Sequence, residues 1–162
     1  LKYNYNLLTH GEKMELKSLL VDTKTTWVEF PGLEGFEVEL ANLSRKELVN
    51  LRKRCTASKF NRKTRMFEDT LDETKFIDEF TKATVKGWKG FKLGYLEDLV
   101  LVDLKGQDKE AELPYDIDNA KHLVENSSEF DNWLNDVVFD LENFRSRESG
   151  ETKKATDTVS GQ

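Results

Sequence analysis

The chain reads as an α+β domain, mainly helical with an N-terminal β-hairpin. Three observations predict that class. Two short runs near the start alternate apolar and charged residues, Val28-Glu29-Phe30 and Phe36-Glu37-Val38-Glu39-Leu40; period two marks a strand with one buried face. Later segments repeat their apolar residues at spacings of three and four, the helical period. A serine, threonine or aspartate stands at the head of each such segment, where a helix needs a side-chain acceptor for its first free N–H groups.

Taken in order, Pro31-Gly32-Leu33-Glu34-Gly35 separates the two alternating runs. One stiff residue and two glycines able to take positive φ predict a hairpin loop. Ser44 and Glu47 form an S-x-x-E capping box, and Leu48, Leu51 and Cys55 follow at helical spacing, predicting a helix from about 45 to 58. Thr70 and Glu73 repeat the box. Phe76, Ile77, Phe80, Ala83 and Thr84 then trace an apolar stripe to about Val85, where Gly87-Trp88-Lys89-Gly90 reads as the stop, a turn with a buried ring. Leu93, Leu96 and Leu99 keep helical spacing, while Leu99 to Leu104 reads equally as a β-rich run; a short helix is favoured. Residues 105–114 are polar and predict a loop ending at Pro114. Asp116 heads a helix carrying Ile117, Ala120, Leu123 and Val124, broken at Asn126-Ser127. Ser128 heads the most periodic segment: Phe130, Trp133, Leu134, Val137, Val138, Leu141 and Phe144.

The two ends differ from this middle. Residues 1–13 show no sustained period and read as a non-native or upstream leader, with Met14 as the start; Gly11-Glu12-Lys13 can be encoded by a purine-rich run like a bacterial ribosome-binding site. Residues 14–146 form the single domain. Residues 147–162 hold Ser, Thr, Lys, Glu and Gly with almost no large apolar side chain, too little to offset the entropy of ordering, and are expected to be a disordered tail.

Composition narrows the classes of function. With 162 residues, 37% of them hydrophobic and including ten Phe, three Trp and four Tyr, the chain can bury one core of large rings. Its longest apolar run, Leu99 to Val102, falls far short of the ~20 residues of a bilayer crossing, so no membrane partner is expected. A lone cysteine, Cys55, excludes an internal disulfide, and without a Cys/His cluster neither a metal nor a cofactor is expected. Carboxylate pairs such as Asp72 with Glu73, or Asp136 with Asp140, read as solvated helix faces. His122 reads as a boundary residue, and Cys55 as a small buried hydrophobe. Gly87–Gly90 lacks the glycine spacing of a phosphate-cradling loop, and Ser127 and Ser128 lack a nucleophile elbow. No catalytic, cofactor-binding or metal residue is assigned, and the chain is not expected to be an enzyme.

Charge is distributed unevenly. Arg45, Lys46, Arg52, Lys53, Arg54, Lys59, Arg62, Lys63 and Arg65 face a single acid, Glu47, within residues 45–65. That segment carries a net +8, which leaves −14 for the remainder of a chain whose total is −6. Three meanings fit: a nucleic-acid footprint with Phe60 and Phe67 as stacking rings, a contact surface for an acidic protein or another copy, or a basic face neutralised within the fold. Phosphate repulsion by the acidic remainder disfavours nucleic acid as a partner.

The order of features then becomes distinctive. Phe-Glu-Val-Glu-Leu (36–40) leads to Leu-Ser-Arg-Lys-Glu-Leu (43–48), Leu-Asp-Glu-Thr-Lys-Phe (71–76) and Val-Lys-Gly-Trp-Lys-Gly (85–90). Leu-Pro-Tyr-Asp-Ile-Asp-Asn-Ala (113–120) and Phe-Asp-Asn-Trp-Leu-Asn-Asp (130–136) close it. Over residues 20–146 this series resembles the tail assembly chaperones of long-tailed bacteriophages with non-contractile tails. The resemblance implies a non-enzymatic protein of the host cell cytoplasm, not expected in the mature virion. It would bind and solubilise the helical tape measure protein and recruit major tail tube subunits; the segregated charge would also let copies self-associate head to tail along an extended client. It also implies programmed frameshifting to a longer product, for which Thr152-Lys153-Lys154-Ala155 offers a codon-compatible site. Gly87, Trp88, Lys89, Gly90 and Phe91, with exposed parts of the segment after them, are the candidate client surface; the alternative is that Trp88 is simply core. A small nucleic-acid-binding regulator using residues 45–65 and a structural tail component remain as rival functions.

Overall fold

The computed structural model describes residues 15–21 and 23–145, together with the backbone of 153–154. The expectations for residues 1–13 and, that backbone pair aside, for residues 147–162 lie outside the described residues.

A single exposed turn, α1 (Leu16–Leu19), precedes the predicted hairpin. Strands β1 (Thr25–Glu29) and β2 (Glu37–Ala41) pair antiparallel, with Val28 opposite Val38 and Trp27 opposite Glu39. The alternation works as expected: Val28, Val38 and Leu40 are fully buried. Phe30 N–H donates to the Phe36 carbonyl at 2.8 Å to close the loop.

Helix α2 (Arg45–Arg54) opens with the predicted capping box: Ser44 Oγ accepts from Glu47 N–H at 3.2 Å, and the Glu47 carboxylate accepts from Ser44 N–H at 2.7 Å. It ends four residues earlier than the spacing suggests. After Cys55 the apolar stripe has no further member, and Thr56 Oγ1 donates to the Arg52 carbonyl at 2.8 Å, occupying the helix end. The chain instead forms a second hairpin, β3 (Thr56–Asn61) with β4 (Met66–Leu71), which the helical expectation for residues 56–58 did not include.

Helix α3 (Glu73–Thr84) is capped by Asp72, whose carboxylate accepts from Lys75 N–H at 3.0 Å; Thr70, expected as the cap, lies in β4 opposite Ala57. Beyond α3 the chain straightens at once into β5 (Val85–Lys89), antiparallel to β2 with Trp88 opposite Val38. The expected turn at Gly87–Gly90 is therefore corrected to a strand. Its glycines do not stop the helix: α3 has already ended at Thr84, where Val85 turns extended.

A 3-10 turn at Leu93–Tyr95 and the one-turn α4 (Leu96–Leu99) supply the short helix expected there. Helix α5 (Ile117–Asn126) is capped by Asp116, which accepts from the Asp118 and Asn119 N–H groups at 2.7 and 3.2 Å. Helix α6 (Ser128–Phe139) is capped by Ser127 rather than Ser128, the Ser127 hydroxyl accepting from Phe130 N–H at 3.1 Å. Asp140 then caps a 3-10 turn at Leu141–Phe144, so Phe144 is buried although α6 itself has ended. The backbone of β6 (Lys153–Lys154) lies parallel to β1 at Val28 and Glu29.

The larger sheet has the order β5-β2-β1-β6, and α3, α5 and α6 pack in series beside it. Rings fill the space between. Phe36 stacks on Phe91 with centroids 4.2 Å apart, Phe30 meets Trp133 edge-on at 4.9 Å, and Phe130 lies 5.9 Å from Phe30. Each such buried ring contributes roughly 1.5–3 kcal/mol through lost apolar exposure, enough to organise a chain that is otherwise polar. Among the described residues no helix is long and apolar enough to cross a membrane.

Candidate functional site

The five residues proposed from sequence sit at one edge of the large sheet. Trp88 and Phe91 are core: Trp88 meets Phe91 and Tyr115 edge-on at 5.3 and 5.2 Å, and Phe91 is fully buried. Gly87 permits close packing, since a Cβ there would sit 3.4 Å from Glu39 Oε2 and 3.8 Å from the Trp27 ring. Gly90 takes a φ of +67°, and a Cβ on it would fall 2.0 Å from the Gly35 carbonyl oxygen. Lys89 is the one exposed side chain of the five, Gly90 being half-buried; the Lys89 Nζ pairs with Glu37 at 2.7 Å and lies 4.7 Å from the centre of the Trp27 ring. These residues position a surface more than they form one.

The surface they position is a groove. Phe91 lies beneath it, Leu96, Val100 and Leu113 line it, and Leu123 closes the α5 side, enclosing about 590 Å³. Leu101 is fully exposed at its lip, and Val102 beside it is 41% exposed. Polar groups enter only from α5, as Asn119, His122 and Asn126. The segment following Gly87–Phe91 thus provides the exposed apolar side chains. Their signal in sequence was the run Leu99 to Val102, which holds more apolar residues than one helix stripe can bury.

Sequence and fold comparisons add no relative to this geometry. No protein family, curated protein or solved structure matches the chain.

The nine basic residues divide between two elements rather than lying on one helix. Arg45, Lys46, Arg52, Lys53 and Arg54 are on α2, and Lys59, Arg62, Lys63 and Arg65 are on the β3–β4 hairpin. Neutralisation within the fold is slight. Among the described residues Arg54 alone of the nine forms a salt bridge, 3.6 Å from Glu79, and the Arg52 guanidinium lies over the Phe76 ring at 5.6 Å. The hairpin tip is shaped by Asn61, whose Oδ1 accepts from Lys63 and Thr64 N–H groups at 2.8 and 3.3 Å, and by Arg65 at a φ of +55°. Phe60 and Phe67 face each other across the strands at 5.3 Å, both exposed.

The titratable residues singled out from sequence have local duties. Asp72 and Asp140 cap α3 and the last 3-10 turn, and Cys55 is buried at the end of α2. His122 is exposed, 4.0 Å from Glu125. Burial raises the Tyr115 pKa, and its Oη donates to the Val85 carbonyl at 3.0 Å. Burial also raises that of Asp131, against a hydrogen bond from Asn135. Among the described residues no group of three or more His, Cys, Asp or Glu gathers as a metal site. The arrangement offers an apolar trough and a separate hairpin with exposed rings and a basic tip.

Proposed function

We propose that the chain is a tail assembly chaperone of a long-tailed, non-contractile bacteriophage, working in the host cytoplasm and leaving before the virion is complete. The client is the tape measure protein, whose apolar helix stripe would lie in the groove between Phe91, Leu101 and Leu123. The groove is the observation that carries this reading: helix-in-groove recognition needs an apolar trough with few polar groups, and this one presents Leu101 unsatisfied at its lip. An acidic, highly charged body raises the solubility of whatever it covers. Recruitment of tail tube subunits follows as the client is handed on.

Trp88 is a core residue, so its removal would test folding rather than capture. Leu101→Asp is the informative change, because that side chain is fully exposed and supports no packing. Co-expressed with the tape measure protein, the wild-type chain is expected to hold it in the soluble fraction. Leu101→Asp should fold with unchanged stability and lose most of that effect. A client that stays insoluble with the wild-type chain refutes the chaperone reading; a client held equally well by the variant refutes the groove as its seat.

A further inference from the structure

Among the described residues the β3–β4 hairpin has no neighbour that buries its side chains. Every residue from Thr56 to Thr70 is exposed apart from half-buried Asn61. A two-stranded ribbon is marginal in water by itself, yet this one displays two large rings, Phe60 at 53% and Phe67 at 72% exposure. Around them stand Lys59, Arg62, Lys63 and Arg65, none in a salt bridge among the described residues, and two acids, Glu68 opposite Lys59 and Asp69 opposite Ser58; the three cations Arg62, Lys63 and Arg65 gather at the tip.

The groove has the opposite character. Residues 96–126, which supply most of its wall, hold nine carboxylates against three lysines, a net −6. Asp98 and Asp103 flank the Val100–Val102 lip in sequence, and Glu125 lies one helical turn from His122 on the α5 side. One surface is therefore apolar beside a basic tip, the other apolar within an acidic stretch of chain, and both carry exposed apolar side chains.

We propose that, while no client is present, the groove of one copy is covered by the β3–β4 hairpin of a second copy. Phe60 and Phe67 enter the trough, and Arg62, Lys63 and Arg65 meet the carboxylates of its rim. This rests on the reading above only in giving hairpin and client the same seat. The contact is head-to-tail: each copy retains one free hairpin and one free groove, so association continues into chains or closes into rings. Charge at the rim sets orientation and speeds encounter, and it weakens as salt rises. A client helix that fills the trough displaces the hairpin, so capture of the client and dissolution of the self-assembly are one event.

Sedimentation of the full chain over a wide concentration range tests this. The wild-type mass should rise with concentration and fall back with added salt. The hairpin variant Phe67→Ser with Arg62→Glu and the groove variant Leu101→Asp, all at exposed positions, should each remain monomeric alone. Mixed in equal amounts they should form a species of twice the monomer mass and no larger, because one intact groove meets one intact hairpin. A monomeric wild type, growth that survives in the hairpin variant, or a mixture that stays monomeric overturns the proposal. So does a monomeric wild type that binds a single-stranded oligonucleotide through Phe67, which would give the ribbon to nucleic acid. Capture of the tape measure protein by the wild-type chain is scored separately: its failure would sink the chaperone reading and leave the self-association result standing.

Discussion

The indole Nε1–H of Trp88 donates to the carbonyl oxygen of Leu113 at 2.8 Å, tying β5 to the strand-like segment that leads into α5. Trp133 is buried to a similar degree against Phe30 and Phe130, but its Nε1–H has no acceptor among the described residues. The two tryptophans thus differ in one hydrogen bond.

Replacing each by phenylalanine should expose that difference. Trp88→Phe removes a donor from a satisfied acceptor, whereas Trp133→Phe removes a donor that was already unpaired. The first is expected to cost about 1–2 kcal/mol more than the second. Urea unfolding measures it, and equal midpoints for the two variants would contradict the assignment.

The glycines separate conformational strain from steric collision. Gly106 has a φ of +74° with open space around it, so Gly106→Ala should cost about 1–2 kcal/mol, the penalty of a left-handed alanine. Gly90 has a similar φ, but its added Cβ would collide with the Gly35 backbone. Gly90→Ala should lose about 3 kcal/mol or more, at or above the top of the ordinary range for single substitutions. Thermal unfolding of the pair checks the ordering.

Acid should loosen the start of α2. Burial pushes the Glu47 pKa up, but hydrogen bonds from the Ser44 backbone, the Ser44 hydroxyl and Thr23 outweigh it and hold the value below the ordinary 4.5. A lowered folded pKa contributes stability that is complete above the unfolded value and fades as pH falls through the folded one. Glu47→Gln is therefore expected to be less stable than wild type at neutral pH, with the gap narrowing below about pH 4.5. A gap independent of pH would assign the effect to packing.

Elements that bury one face were legible in the sequence; those that bury both or neither were not. Val28, Val38 and Leu40 announced the first hairpin because Glu29 in β1 and Glu37 and Glu39 in β2 alternate with them. Leu123, Val124, Trp133 and Leu134 announced α5 and α6 in the same way. The β3–β4 hairpin has no buried face, so Thr56-Ala57-Ser58-Lys59 offers no apolar alternation, and its one pairing cue was Phe60 with Phe67 seven residues apart. β5 failed differently. Its Gly87 fits against Glu39 and Trp27, and Gly90 just beyond the strand fits against Gly35, contacts from distant sequence that make structural glycines look like a helix stop. The groove is half legible: the apolar run after Phe91 stands out in the sequence, whereas Leu123 belongs to a helical stripe that reads the same whether it faces a core or a trough.

Because residues 56–70 contribute no side chain to the hydrophobic interior, mutation there is answerable only to whatever the ribbon touches. The domain therefore owns a stretch of about fifteen positions where partner preference can drift generation by generation, while the scaffold that carries it stays indifferent.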